Sequence, residues 1–361
     1  MRIGVPKEIK TLESRVGMTP GVVSGLTRQG HEVLVETNAG AGIDIADAAY
    51  VAAGAKIAPN ADAVFEEAEL IVKVKEPQPV EIARLRPHHV LFTYLHLAPD
   101  PEQAQGLAKS GATCIAYETV TGPGNSLPLL APMSQVAGRM AVQVGAAALL
   151  KPAGGRGMLL GGVPGVAPAK VVILGGGVSG AHAAEMAIGL RANVSLFDIS
   201  AARLEALDVQ FGGHVHTIFS THDAVAEAIT DADLVIGCVL LPGASTPKLV
   251  SRADLKRMKR GSVLVDVAID QGGCFETSRP TTHAEPTYEV DGVIHYCVAN
   301  MPGAAPLTST YALNAVTAPF VSALANKGWR KALQDDAHLA GGLNVVGGEI
   351  VHPAVKIALG L

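Results

Sequence analysis

Residues 169–198 read AKVVILGGGVSGAHAAEMAIGLRANVSLFD, and this stretch constrains the fold more than any other. Val171, Val172, Ile173 and Leu174 form a short run that is apolar at every position, as suits a parallel strand covered on both faces. Gly175, Gly177 and Gly180 follow with the spacing G-x-G-x-x-G. The first glycine allows a tight turn, the second lets backbone N–H groups approach a pyrophosphate, and the third lets the next helix pack close to the strand. The positive end of that helix favours the phosphate charges. Asp198 stands 18 residues after Gly180 and closes a second apolar run, Val194 to Phe197. At the tip of a strand it accepts hydrogen bonds from a ribose diol and repels a 2′-phosphate, which points to NAD rather than NADP. A glycine-rich turn in some other doubly wound fold explains the glycines of this stretch but leaves Asp198 unexplained.

A chain of 361 residues exceeds the roughly 250–300 at which single cores stop growing, so two domains are expected. Only 17% of residues are charged against 48% hydrophobic, a surface poor in charge that suits partial cover by partner subunits. The 28 basic and 33 acidic residues are evenly spread, with no basic run, which argues against nucleic acid. Cys114, Cys238, Cys274 and Cys297 are far apart and show no metal-ligand spacing, so a reduced, metal-free interior is expected. No apolar run reaches the ~18 residues of a membrane span, and the opening MRIGVPKEIK reads as a strand rather than a signal peptide. A cytoplasmic protein is expected. The pairs His88-His89 and His214/His216, the latter on one strand face, read as solvated or edge positions rather than metal ligands.

Up to residue 128, short strands at Arg2–Val5, Val33–Glu36, Leu70–Val74, Val90–Thr93 and Thr113–Ala116 alternate with helical pattern, which indicates an α/β domain with a parallel sheet. A long helix rich in small residues begins after Pro132 and ends at Lys151-Pro152, as a bridge between domains would. The small residues of 136–149 are compatible with helix packing between subunits. Gly154 to Val166 reads as a glycine-rich loop. The doubly wound unit continues through His214–Ser220, Leu234–Gly237 and Val263–Val267, with Ile294–Val298 as its last strand. A second long helix over Thr308–Asn326 then leads back. The expected architecture is a Rossmann-type doubly wound NAD-binding domain, residues 129–306, inserted into a discontinuous α/β catalytic domain, residues 1–128 plus 307–361.

The whole chain resembles the alanine dehydrogenase and pyridine nucleotide transhydrogenase family. The resemblance rests on MRIGVPKE, ESRVGMTP, VKVKEP, LFTYLHLA, AYETV, LLAPMSQVAGR, GGRGMLLGGVPGV, LVDVAIDQGGCFETSRPTT and YCVANMPGAAPLTSTYAL. Gln135 and Ser245 depart from it, standing where Glu and Lys are expected.

What the resemblance implies differs from what single residues say. Arg15 alone reads as a surface charge, whereas by resemblance its two-pronged guanidinium holds a substrate carboxylate. Lys75, just past a buried strand, is implied to contact that carboxylate or the oxo group of pyruvate. His96 follows the run Val90–Leu95 and reads equally as a core histidine or, by resemblance, as the catalytic acid-base. Asp270 alone is a turn or cap acid before Gly272-Gly273, and by resemblance the second proton-relay group. It is chosen over Asp266 because it lies past the strand's carboxyl end. For the cofactor the resemblance carries over Ser134, Gly177, Val178, Asp198, Arg203, Ser220, Val239, Leu240, Val267, Ala268, Ile269, Asp270, Asn300 and Met301, beside Gly175 and Gly180. Ser134 and Ser220 also read as cap or turn serines, and Arg203 as an adenine neighbour or a plain helix-surface charge.

The implied activity is NAD-dependent, reversible oxidative deamination of L-alanine to pyruvate and ammonium, in a homo-oligomer, most often a hexamer, with no membrane or nucleic-acid partner. Two rival readings are the NAD-binding component of a proton-translocating transhydrogenase and a non-catalytic NAD-binding sensor. Two domains joined by helical bridges also suggest hinge closure on the cofactor.

Overall fold

The computed structural model describes residues 1–239 and 246–361. It divides into two compact units, Met1–Met133 with Ala305–Leu361, and Ser134–Ala304. The first six strands belong to the first unit: β1 (Arg2–Val5), β2 (Glu32–Glu36), β3 (Lys56–Ala58), β4 (Leu70–Val72), β5 (Val90–Thr93) and β6 (Thr113–Ala116). The second unit holds β7 (Lys170–Leu174), β8 (Asn193–Asp198), β9 (Val215–Phe219), β10 (Leu234–Gly237), β11 (Val263–Asp266), β12 (Thr287–Val290) and β13 (Val293–Tyr296). The chain then returns to the first unit with β14 (Leu343–Val346) and β15 (Glu349–Ile350).

In the first unit the strands lie in the order β15-β14-β6-β5-β4-β1-β2-β3. From β1 the chain moves outward to β2 and β3, then crosses to β4 on the other side of β1 and moves outward again. The order therefore reverses between β1 and β4, the place where open α/β sheets bind ligands at the carboxyl ends of their strands. The C-terminal strand β14 adds antiparallel to β6. β3 is an edge strand of three residues, too short for its alternation to be read from sequence.

The second sheet has the order β12-β13-β11-β10-β7-β8-β9, with its reversal between β7 and β10. Alternate residues of β7 feed opposite cores: Val171 and Ile173 pack on one face, Val172 and Leu174 on the other. This double cover is why the strand is apolar throughout. The last strand starts and stops earlier than the apolar run suggested, at Val293–Tyr296, and an antiparallel edge strand, β12, pairs with it across a two-residue turn with both residues at positive φ. Asp291-Gly292 at that turn carried the hairpin signal.

The small residues of the helix Ala131–Ala148 are used inside the second unit. A Cβ on Gly138 would come within 2.1 Å of the Ser179 carbonyl oxygen, and one on Gly145 within 2.7 Å of Leu234. Those two glycines therefore give no argument for a subunit interface.

Of the paired histidines, one needs correction. His88 is exposed, but His89 is 1% exposed, with Nδ1 accepting from the Arg86 N–H at 2.9 Å and Nε2 donating to the Phe65 carbonyl at 2.8 Å. His214 and His216, just before and within the edge strand β9, are both exposed, as solvated or edge positions are. Burial, with the charge of His88 adding to it, lowers the pKa of His89 to about 4, and burial likewise lowers that of His295 to about 4. Both imidazoles are neutral in the fold and take up a proton when the chain unfolds, at the ordinary value of 6.5. Their stabilisation is complete above that value and is lost as pH falls from 6.5 toward 4, on the order of 2 kcal/mol each. Melting temperature measured across that window should fall, and His89→Asn should flatten the fall. A flat wild-type profile would contradict the assignment.

Candidate functional site

In the first unit, Arg15, Lys75 and His96 lie on the segments that follow β1, β4 and β5, three neighbouring strands of the sheet. Arg15, read alone as a surface charge, is 2% exposed. Glu13 clamps it in a two-pronged pair, accepting from Nε at 2.7 Å and from Nη2 at 2.5 Å, while Nη1 lies 3.1 Å from Met133 Sδ. Burial pushes the guanidinium pKa down, and the hydrogen bonds and charge of Glu13 more than restore it, so the group stays cationic.

The helix Pro306–Lys327 pins the loop that carries Arg15. Thr310 Oγ1 accepts from Val16 N at 3.3 Å, and Asn314 Oδ1 accepts from Thr19 N at 2.7 Å. Between them Gly17 lies so close to β4 that a Cβ would stand 2.4 Å from the Val72 carbonyl oxygen.

Lys75 is 9% exposed, its Nζ 3.5 Å from Glu76 Oε2. Burial raises the Glu76 pKa, but Lys75 and Lys10 outweigh it and hold the carboxyl at about 2. Glu76 is therefore a fixed negative charge beside Lys75.

His96 follows β5 with a backbone φ of 50°. Left-handed backbone in a non-glycine residue persists only where its surroundings enforce it. Here Glu118 enforces it, accepting from His96 N at 2.6 Å and from Leu95 N at 3.1 Å. The imidazole stacks on the Tyr94 ring at 5.7 Å with 7° between planes, and its side chain remains 42% exposed. Nδ1 stands 4.0 Å from Glu118 Oε1. Of the two open readings, a satisfied core histidine is excluded by this exposure.

In the second unit the register puts Leu174, Phe197, Gly237 and Asp266 level at one edge of the sheet. Gly175, Asp198, Ser220, Val239 and Val267 to Asp270 are thereby brought to the same end. Gly175 has φ +99°, and a Cβ on Gly180 would sit 1.8 Å from the Gly175 carbonyl oxygen, so turn and helix close tightly. Around Gly177 an added Cβ meets nothing within 4 Å, which leaves the space a pyrophosphate needs at the helix N-terminus. Val178 opens that helix and is 42% exposed, and Ser134 lies half-buried in the first turn of the helix Ala131–Ala148.

Asp198 Oδ2 accepts from Gly176 N at 2.7 Å and Oδ1 from Ser200 N at 2.8 Å. The carboxylate is half-buried and oriented by two amides, and each oxygen keeps a lone-pair direction for a diol. Arg203 is no plain surface charge, because its Nε donates to the Gly176 carbonyl at 2.6 Å. Asp198 and Arg203 thus hold the two peptides that flank Gly176 in the glycine turn. Gly177, with its open space, and Asp198, with its oriented carboxylate, fit a dinucleotide.

The two acids flanking β11 separate cleanly. Asp266 is fully buried and accepts from Cys274 N at 2.8 Å, Ser278 Oγ at 2.5 Å and Ala268 N at 3.1 Å, which ties down the following turn. Asp270, in the turn Ile269–Gln271, is exposed. Asn300 precedes the turn Met301–Ala304 with φ 59°, a second left-handed non-glycine residue among those singled out from sequence, and Met301 is buried at 3% exposure. Leu240 and Ser245 lie outside the described residues. Gln135 is exposed on its helix.

Sequence reasoning missed Glu13, Glu8 and Lys73, buried charges behind Arg15 and Lys75, and the half-buried Glu118 that holds the backbone of His96. They stand inside the quoted motifs, but nothing local distinguishes a buried carboxylate from a solvated one.

The family Alanine dehydrogenase/PNT matches along both halves of the chain, its N-terminal domain at residues 4–137 and its C-terminal domain at residues 141–353. The chain belongs to this family. An alanine dehydrogenase of Halomonas elongata is 60% identical over all of this chain and 97% of that protein, and one of Bacillus subtilis is 55% identical over all of this chain and 95% of that protein. A solved L-alanine dehydrogenase superposes with a TM-score of 0.96 at 53% identity, covering 100% of this chain and 99% of that one. A transhydrogenase of Sinorhizobium meliloti superposes at 0.82 with 28% identity, over 98% of this chain and all of the other. The family's two sequence halves are not the two structural units, because residues 305–361 pack with the first.

Proposed function

We propose that this chain is an NAD-dependent amino-acid dehydrogenase that interconverts L-alanine with pyruvate and ammonium, the first unit holding the substrate and the second the cofactor. The observation that carries the reading is His96, exposed on an enforced left-handed turn beside the loops of Arg15 and Lys75, in a chain of high identity to alanine dehydrogenases along its whole length. NAD, when bound, supplies the hydride acceptor.

The remaining work falls to the chain. Arg15 and Lys75 hold the substrate carboxylate, which fixes the Cα hydrogen in direction and lowers the entropic part of the barrier. Loss of hydride leaves an iminium, which water attacks. His96 takes the proton from that water, and Asp270 serves the relay as the carbinolamine collapses to pyruvate and ammonium. Asp198 favours the unphosphorylated ribose. Soluble homo-oligomeric assembly, most often a hexamer in such proteins, belongs to the same reading.

The test is absorbance of NADH, formed from alanine and NAD⁺ and consumed with pyruvate and ammonium. Signal in both directions is expected, without membrane components and with little or no signal from NADP⁺. NADH binding with no turnover in either direction would overturn the reading in favour of a sensor.

A further inference from the structure

We propose that Glu8 is a positioning residue for Lys75, an inference that rests on the proposed function only for the identity of the substrate. Glu8 follows β1 and Lys75 follows β4, so the pair spans the reversal point of the first sheet. The two oxygens of Glu8 do different things. Oε2 accepts from Lys73 Nζ at 3.0 Å, while Oε1 accepts from Val74 N at 2.6 Å and from Lys75 N at 3.3 Å. Thr93 Oγ1 donates to the Lys75 carbonyl at 3.0 Å, so the lysine's backbone is held at both its N–H and its C=O.

Glu81 provides the internal contrast. It binds the same Lys73 Nζ at 2.7 Å and is as buried as Glu8, with 2% of each side chain exposed, yet its other oxygen accepts from Gln78 N at 2.8 Å and not from Lys75. Both carboxylates balance Lys73, which is 0% exposed, but only Glu8 converts that buried charge into a grip on the backbone of Lys75. Charge-assisted acceptance by a carboxylate is roughly twice as strong as by a neutral group. In Glu8→Gln the amide nitrogen must also face either the ammonium or the two N–H groups, all of them donors.

The experiment compares Glu8→Gln with Glu81→Gln by steady-state kinetics with pyruvate, ammonium and NADH, by NADH fluorescence titration, and by hydrogen exchange of the peptide containing Val74 and Lys75. Glu8→Gln should raise KM for pyruvate about tenfold with kcat within about threefold of wild type and the Kd for NADH unchanged. Faster exchange at Val74 and Lys75 should accompany it. Glu81→Gln should lose melting temperature yet keep KM within about twofold and exchange unchanged. Equal effects of the two substitutions on KM and exchange, or no effect of Glu8→Gln, would overturn the proposal in favour of a shared structural role.

If Glu8→Gln fails to fold, Glu8→Asp, one methylene too short to reach ammonium and amides together, carries the same expectation. If wild type shows no pyruvate-dependent turnover, the proposed function fails, and the exchange contrast between the variants decides the positioning role by itself.

Discussion

His96→Ala and Asp270→Asn each lower kcat by about a thousandfold, the scale of a lost general acid-base, while NADH still binds. For His96 the expectation rests on an exposed imidazole on backbone that Glu118 forces to φ 50°. A ring needed only for packing would not be held outward at that conformational cost. For Asp270 it rests on the division of labour at the end of β11, where Asp266 carries the structural hydrogen bonds and Asp270 is exposed. Asp266→Asn is therefore the informative control. It should lower the melting temperature and disturb the turn, whereas Asp270→Asn leaves the melting temperature near wild type. Stopped-flow and steady-state rates with fluorescence titration of NADH check all three. Turnover retained in both His96→Ala and Asp270→Asn would refute the assigned roles, and loss of NADH binding in His96→Ala would reassign that residue.

Lys73→Met is expected to destabilise the first unit by about 3–5 kcal/mol, the usual cost of removing one partner from a buried ion cluster. Lys73 lies between Glu8 and Glu81, all three excluded from water, and its removal leaves two carboxyls in a space that had one cation. Desolvation already raises the Glu8 pKa against the pull of Lys73, and without that ammonium the rise is larger, so the variant gains protons as well as losing a pair. Adding Glu8→Gln and Glu81→Gln to Lys73→Met should return part of the loss, because an uncharged cluster has less to desolvate. Calorimetric melting of the three proteins checks this. A Lys73→Met protein that melts with wild type would show that the cluster is hydrated in solution.

The nucleotide half was more legible than the substrate half, for a physical reason. Gly175, Gly177, Gly180 and Asp198 act through spacing along a short stretch, so their geometry is nearly local. The strand Val171–Leu174 betrays its double cover by apolarity alone. Arg15 reads as a surface charge because its clamp, Glu13, and the pinning residues Thr310 and Asn314 declare nothing until the chain is folded, and two of these are some three hundred positions away. His89 failed in the opposite direction, since a histidine beside another histidine gives no sign that a carbonyl and an amide wait to satisfy it in the core.

By itself the sequence determined most of the parallel strands, the glycine turn, the acid at the tip of β8 and, through long shared motifs, the family. Only the tertiary structure decided that β4 rather than β2 or β3 shares the far side of β1, and so which loops meet at the reversal point. It also decided which of two aspartates is buried and which charges are paired out of water. Hydrogen-bonded spacing along one strand and turn is written in consecutive residues. The burial of a charge depends on which distant segments exclude water together, and no single segment carries that information.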